Sequence, residues 1–342
     1  MNSPLVSVII PTYNRAALLQ EALQSIVGQS FADYEVLIVD DGSTDSTREV
    51  AARFPADRFI YMHQENQGRS AARNRALAAT RGRYVAFLDS DDLFTADKLE
   101  RQVEILEAHP DYGMVYTAAR VIDEQGGELF SPYATNSGTP YYRATESGYI
   151  YDKIAYYLPL TILLPTVMVR SSVLQSVGGF DERLDRFEDT DLWRRIAKVA
   201  GIFALDVPLT TIRTHSGNRM EHPAKVFAAI AYYTGKIKEQ DGGESPQWRK
   251  GSARLYLHYA LAVHALEKMR PLSRRFFKEA VRLAPVDTVD YLLVNHVLSS
   301  RYALPLLAGS FRHAPLILSR LAAVTIWRGI TALCGGPRGR DA

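Results

Sequence analysis

Along the first 120 residues the hydrophobic and polar positions follow two alternating periods. Residues 5–10, 35–39, 59–62, 84–88 and 114–117 are short apolar runs with the length and composition of strands. Between them Leu19, Ala22, Leu23 and Ile26 recur at helical spacing, and segments 47–54, 71–80 and 96–108 repeat that pattern. Strands alternating with helices predict right-handed βαβ units and a mainly parallel α/β sheet covered on both faces. Ligands in such sheets sit beyond the carboxyl ends of the strands, so the residues following each strand are the ones to inspect.

Further along, residues 123–166 are rich in Gly, Ser, Pro and Tyr with weak periodicity, which reads as a loop-rich substrate region. Residues 166–170 read as a strand, Gly178-Gly179-Phe180-Asp181 as a turn, and 188–199 as a helix ended by Gly201. From residue 225 onward the pattern is helical, with Gly242-Gly243 and Ser245-Pro246 as a linker. Phe277, Ala280 and Pro285 fit the end of a tetratricopeptide unit, but most other consensus positions do not, and one partial match is no repeat array.

Length and composition narrow the class. A chain of 342 residues is about two domains' worth, and 47% hydrophobic with 23% charged residues is ordinary for a folded soluble protein. The single cysteine, Cys334, excludes an internal disulfide and points to a reducing compartment. Forty Lys and Arg against 38 Asp and Glu leave a net charge of +2, which argues against nucleic acid as a partner. The N-terminus has no basic region before its short apolar run, and the longest uncharged apolar stretch, 154–169, is 16 residues with two prolines. That is short of the roughly 20 a membrane helix needs, so the expected location is cytoplasmic.

The charge is unevenly placed. Residues 301–342 hold six arginines and one acid, and Arg312, Arg320 and Arg328 alternate with apolar blocks between Pro305, Pro315 and the C-terminus. One reading is a basic amphipathic tail, 301–340, in peripheral contact with anionic lipid on the inner face of the cell membrane. The other is a helical bundle with its arginines in solvent.

The chemistry-bearing residues fall after the strands. Pro11-Thr12-Tyr13-Asn14-Arg15 follows the first and lacks the G-x-G-x-x-G of dinucleotide-binding dehydrogenases. Asp40-Asp41-Gly42-Ser43-Thr44-Asp45 follows the second; a carboxylate there can accept a base's ring N–H, or the segment can be a turn and helix cap. Asp89-Ser90-Asp91-Asp92 follows the fourth, and three carboxylates in four positions repel unless compensated. A divalent cation with oxygen ligands supplies that compensation, the alternative being a solvated acidic loop. On an extended segment Asp89 and Asp91 point the same way. Gly68 and Ser70 suit entry into a helix whose N-terminus, with Arg69 and Arg73, suits a phosphate. Glu188-Asp189-Thr190-Asp191 at another helix start reads either as dipole partners or as the home of a general base.

These blocks together resemble family 2 glycosyltransferases. The resemblance is carried by 6–15, 39–45, Asn66-x-Gly68-x-x-x-Ala72-Arg73-Asn74, Phe87-Leu88-Asp89-Ser90-Asp91-Asp92, Gly178-Gly179-Phe180-Asp181 and Glu188-Asp189-x-Asp191-Leu192-Trp193. Order and spacing match from about residue 5 to 220, leaving the C-terminal 120 residues outside.

The resemblance implies a GT-A fold, a nucleotide-diphospho-sugar donor (UDP-sugar favoured), a divalent Mn²⁺ or Mg²⁺ ion, and inverting transfer to a glycan or lipid-linked acceptor. It places the catalytic domain at 1–222, with a nucleotide-sugar half to about 120 and an acceptor half beyond, and a helical C-terminal region at 223–342. By the same resemblance Pro11, Thr12, Tyr13, Arg15, Asp41, Asn66, Arg73, Asp89 and Ser90 form the donor site. Asp91, Asp89 and His215 are the metal ligands it implies, Asp189 the catalytic base, and Glu188 its neighbour in orienting the base or touching the acceptor. The Gln-x-x-Arg-Trp segment of processive members is missing after Asp189, where Leu192-Trp193-Arg194-Arg195-Ile196 stands, so one sugar per encounter is expected. Two rivals remain: a non-catalytic sugar- or partner-binding protein on the same fold, and a sugar-phosphate nucleotidyltransferase. The latter would want a Gly-rich, cationic phosphate loop after the first strand.

Overall fold

A computed structural model describes residues 3–129, 141–156, 162–214, 223–264 and 270–288. The chain divides into two compact units, residues 1–154 with 159–220, and residues 155–158 with 221–342.

The first unit is built on one mixed sheet. Its first half runs β1 (Val6–Thr12), α1 (Ala16–Val27), β2 (Tyr34–Asp40), α2 (Thr47–Ala51), β3 (Phe59–His63), α3 (Arg69–Ala79) and β4 (Tyr84–Phe87). Then come β5 (Leu93–Phe94), α4 (Lys98–Ala108), β6 (Tyr112–Ile122), β7 (Tyr141–Tyr142) and α5 (Tyr151–Tyr156). A 3-10 turn over Leu164–Thr166 leads into β8 (Val167–Arg170), α6 (Ser171–Val177), α7 (Glu188–Val199) and β9 (Gly201–Arg213). The strand order is β3-β2-β1-β4-β8-β6-β9-β5, with β7 on β6. The strands β3, β2, β1 and β4 are parallel, whereas β8 runs antiparallel to both β4 and β6. The expected parallel half is therefore continued by a mixed half, in which β6 and β9 pair in parallel over most of their length.

Every residue of β1 and β2 is buried, which is why both read as near-continuous apolar runs. The twofold pleat sorts their side chains. Ile9, Leu37, Val39, Val85 and Phe87 face one core with Ala72 and Ala76 of α3, Leu174 of α6, and Leu192, Trp193 and Ile196 of α7. Val8, Ile10, Val36, Ile38 and Ala86 face the other, with Leu19, Leu23 and Ile26 of α1, Val50 of α2, and Leu99, Val103 and Leu106 of α4. Each fully buried Leu, Ile or Phe contributes about 1.5–3 kcal/mol, so the two layers lock the strand ends in place.

The second unit contains α8 (Pro223–Gln240), α9 (Pro246–His264) and α10 (Arg270–Leu283). Its core holds an aromatic cluster: Phe276 lies 5.1 Å from Phe227, 6.3 Å from Tyr256 and 6.1 Å from Tyr259, between ring centroids. Trp248 is fixed by its indole N–H, which donates to the Thr234 carbonyl at 2.7 Å. Among the described residues no helix is long and apolar enough to cross a membrane. The basic tail at 301–340 lies outside the described residues.

Candidate active site

In the sheet, β1 has β2 and β3 on one side and β4 on the other, so the chain reverses its direction of travel across the sheet there. Such a switch point opens a crevice beyond the strand ends. A cleft of about 420 Å³ occupies that position. It is lined by Pro11 and Thr12 at the end of β1, Tyr13 and Arg15 after it, Asp41 after β2, and Asp89, Ser90 and Asp91 after β4. Asn66, Gly68, Arg69 and Arg73, on the approach to α3 and its first turns, complete the lining.

Asp41 organises the far wall. Its Oδ1 accepts from the Gln64 side chain at 2.8 Å and from the Gln67 N–H at 2.9 Å, and its Oδ2 accepts from the Gly68 N–H at 2.8 Å. Four acceptor positions on a carboxylate less three leaves one, on Oδ2. Gly68 has φ of 90°, a left-handed conformation that side chains disfavour, and it sets the angle at which α3 begins. Asn14 ties the first two loops together: its side-chain oxygen accepts from the Thr44 N–H at 2.8 Å and its N–H donates to Ser43 Oγ at 2.8 Å.

The acidic segment after β4 is a turn, so the same-side placement that an extended segment would give Asp89 and Asp91 does not apply. The Asp92 N–H closes onto the Asp89 carbonyl at 3.0 Å, and the carboxylates take separate partners. Arg15 pairs with Asp91, while Arg73 pairs with Asp89 at 2.7 Å. The turn wins because each of three crowded carboxylates then gains its own donor. Asp92 is buried, accepting the Arg213 N–H at 2.9 Å; burial first, and then repulsion from Asp89 and Asp91, hold its pKa well above the ordinary aspartate range.

Among the described residues no three His, Cys, Asp or Glu side chains are grouped as a closed metal site. A hard divalent cation bound through one or two carboxylates and substrate phosphates needs no such group. Asp89 and Asp91 lining the cleft are an oxygen donor set of that type, so the residues fit Mn²⁺ or Mg²⁺ with a phosphorylated ligand. His215 lies outside the described residues. Two buried polar atoms at the cleft, Thr12 Oγ1 and Arg73 Nε, have no hydrogen-bond partner among the described residues. Orphans of this kind are rare in native interiors and mark a place where a ligand or water completes the bonding.

Glu188 and Asp189 are not part of the cleft lining but are joined to it. Phe187 enters α7 in the left-handed region, with φ of 65°, a strained conformation for a bulky residue. Glu188 is then gripped by Arg69 at 2.7 Å and by the wholly buried Arg73 at 3.2 Å. Burial, followed by the neighbouring Asp189, raises its pKa above the ordinary glutamate value, and the two arginines act against that rise. Asp189 Oδ1 accepts the Thr190 N–H at 2.6 Å. Asp191 anchors the helix internally, through Arg194 at 3.0 Å and Arg195 at 2.9 Å. Arg73 thus bridges the turn after β4 and the start of α7. The sequence pattern marks Arg69 only as a phosphate partner and does not mark Gln64, a lone loop glutamine whose bond to Asp41 only the fold creates.

A cleft at the switch point of an α/β sheet, mixing arginines with carboxylates, is the type of site in which such proteins bind phosphorylated nucleotides. Residues 7–160 match the model of glycosyl transferase family 2. An uncharacterised glycosyltransferase of Methanocaldococcus jannaschii is 32% identical over 217 residues, covering 60% of this chain and 69% of the relative. The chain belongs to glycosyl transferase family 2. An uncharacterised glycosyltransferase of Rickettsia conorii is 34% identical over 239 residues, 69% of this chain, but the match spans only 37% of that longer relative. Among solved structures, Staphylococcus aureus TarS 1–349 in complex with UDP-GlcNAc aligns with a TM-score of 0.57 at 18% identity, over 84% of this chain and 83% of that one. Mannosyltransferase PcManGT from Pyrobaculum calidifontis, in complex with GDP-Man and Mn²⁺, aligns at 0.52 and 20% identity over 97% and 88%. These likenesses establish the GT-A fold, with helices following the sheet domain.

Proposed function

We propose that the protein is a metal-dependent, inverting glycosyltransferase that moves one sugar from a nucleotide-diphospho-sugar, with UDP-sugars favoured, to a hydroxyl of a glycan or lipid-linked acceptor. The observation that carries this reading is the cleft at the ends of β1, β2 and β4, where Asp41, Asp89, Asp91 and Arg73 converge beside two unpartnered buried polar atoms. Family membership and the nucleotide-sugar ligands of the two aligned structures support it.

In this reading the base lies against Pro11, Thr12 and Tyr13, and its ring N–H donates to the remaining acceptor position on Asp41. Asp91 and Asp89 hold the divalent ion, which when bound stabilises negative charge on the leaving diphosphate as a Lewis acid. Arg15 and Arg73, already in the cleft, share that charge as donors to phosphate oxygens. Asp189 takes the proton of the acceptor hydroxyl as its oxygen attacks the anomeric carbon. The new C–O bond forms on the face opposite the diphosphate, whose oxygen leaves with the bonding electrons, so an α-linked donor gives a β-linked product. Glu188, clamped by Arg69 and Arg73, fixes the start of α7 and hence the place of Asp189.

Asp189→Asn tests the assignment of the base. Sugar transfer, followed as UDP release in the presence of acceptor, is expected to fall by about 10²–10⁴-fold while UDP binding stays at the wild-type level. Unchanged transfer would remove Asp189 from the mechanism.

A further inference from the structure

Helix α10 carries five cations, Arg270, Arg274, Arg275, Lys278 and Arg282, and one acid, Glu279. All five cations are exposed, whereas Ser273, Phe276, Phe277, Ala280, Val281 and Leu283 are buried. At about 100° per residue the cations span an arc of about 140°, so they form one face and not a scatter. Three other surface cations of this unit are matched: Lys238 and Arg249 share Glu244 at 2.8 and 2.6 Å, and Lys250 meets Asp287 at 2.9 Å. On α10 itself Arg282 is matched by Glu279 at 2.7 Å. Among the described residues Arg274, Arg275 and Lys278 have no acidic partner, and Arg275 stacks on the Phe227 ring at 4.0 Å. Three cations without an acid partner among the described residues, Arg274, Arg275 and Lys278, thus lie within two turns on one exposed face of α10.

We propose that this face of α10 is an electrostatic docking surface for an anionic lipid membrane. An exposed, cationic helix face can lie along a charged plane, where each Lys or Arg near the surface adds to the attraction. The chain that continues beyond the described residues, 289–342, adds six arginines against two acids, interspersed with long apolar blocks such as 303–308 and 321–327. A sequence both cationic and apolar is matched to the headgroup and acyl boundary of a bilayer better than to a soluble polyanion. The inference is independent of the catalytic reading, because lipid binding needs neither donor nor acceptor.

The test is sedimentation of the full chain with vesicles of phosphatidylcholine alone and with phosphatidylglycerol added, at low and high salt. Binding is expected only with the anionic lipid and is expected to weaken as salt rises. Arg274→Glu with Lys278→Glu is expected to weaken it at least about 30-fold, and the milder Gln pair by less. Circular dichroism and melting of both variants, whose changes lie on exposed side chains, verify that the helix is intact. Equal partition of wild type and charge-reversed protein would overturn the proposal, as would equal binding to phosphatidylcholine alone. Binding to soluble polyphosphate without binding to anionic vesicles would assign the face to a soluble anion and also overturn it.

Discussion

Replacing Arg73 with Met isolates the link between the turn after β4 and the start of α7. Arg73 is 4% exposed, and its loss leaves Glu188, itself nearly buried, with Arg69 as its remaining partner. Breaking a buried pair by removing one partner costs about 3–5 kcal/mol. Asp89, whose side chain is 33% exposed, recovers hydration, which places the expected loss near the lower end, about 3 kcal/mol. For a unit of this size that is a fall in Tm of roughly 6–12 °C. The sign of the pH dependence follows from Glu188. Its folded pKa lies above the ordinary value of 4.5, and the variant, without Arg73 acting against the rise, lifts it further. A carboxyl with a raised folded pKa is protonated at low pH without cost and destabilises the fold as pH rises through that value. The difference between wild type and variant in urea denaturation is therefore expected to be larger at about pH 8 than at about pH 5. A loss under about 1 kcal/mol, or one that does not change with pH, would mean that Arg73 does not hold a buried, ionised Glu188.

Two further outcomes follow from buried groups away from the cleft. Lys98 is wholly buried, donates to Gln102 Oε1 and sits 4.5 Å over the Phe94 ring, and burial holds its pKa well below 10.5. The unfolded chain therefore binds more protons, so stability should rise with pH between the folded value and 10.5; Lys98→Met should flatten that slope in denaturant midpoints taken across the range. Gly82 lies where a Cβ would come 2.5 Å from the Ser7 backbone nitrogen and 2.8 Å from the Val6 carbonyl carbon. Gly82→Ala should cost about 2–3 kcal/mol in thermal or urea unfolding, and a melt unchanged from wild type would contradict the packing described.

Local patterns made the parallel half of the sheet legible. Fully buried strands such as β1 and β2 read as continuous apolar runs, and helices such as α1 show their buried face at i, i+3, i+4 and i+7. The cleft residues were legible as a group for the same reason: each follows a readable strand, and strand ends converge. What escaped the sequence depends on distance along the chain. The antiparallel insertion of β8 between β4 and β6 is a matter of pairing, which periodicity does not encode. Arg15 meets Asp91 across 76 positions and Arg73 meets Glu188 across 115, so neither pair leaves a local mark. The turn at Asp89–Asp92 leaves no mark of its own in the sequence, because closely spaced acids carry no signal for the donors that the fold brings to them.

Calorimetric titration reads out whether the acidic turn after β4 serves a metal-bound nucleotide donor. Purified protein would be titrated with UDP, GDP and dTDP, each with and without Mn²⁺, alongside Asp91→Ala. UDP binding is expected to require the metal and to disappear in the variant. Binding that ignores both the metal and Asp91, or no binding to any of the nucleotides, would contradict that role of the turn.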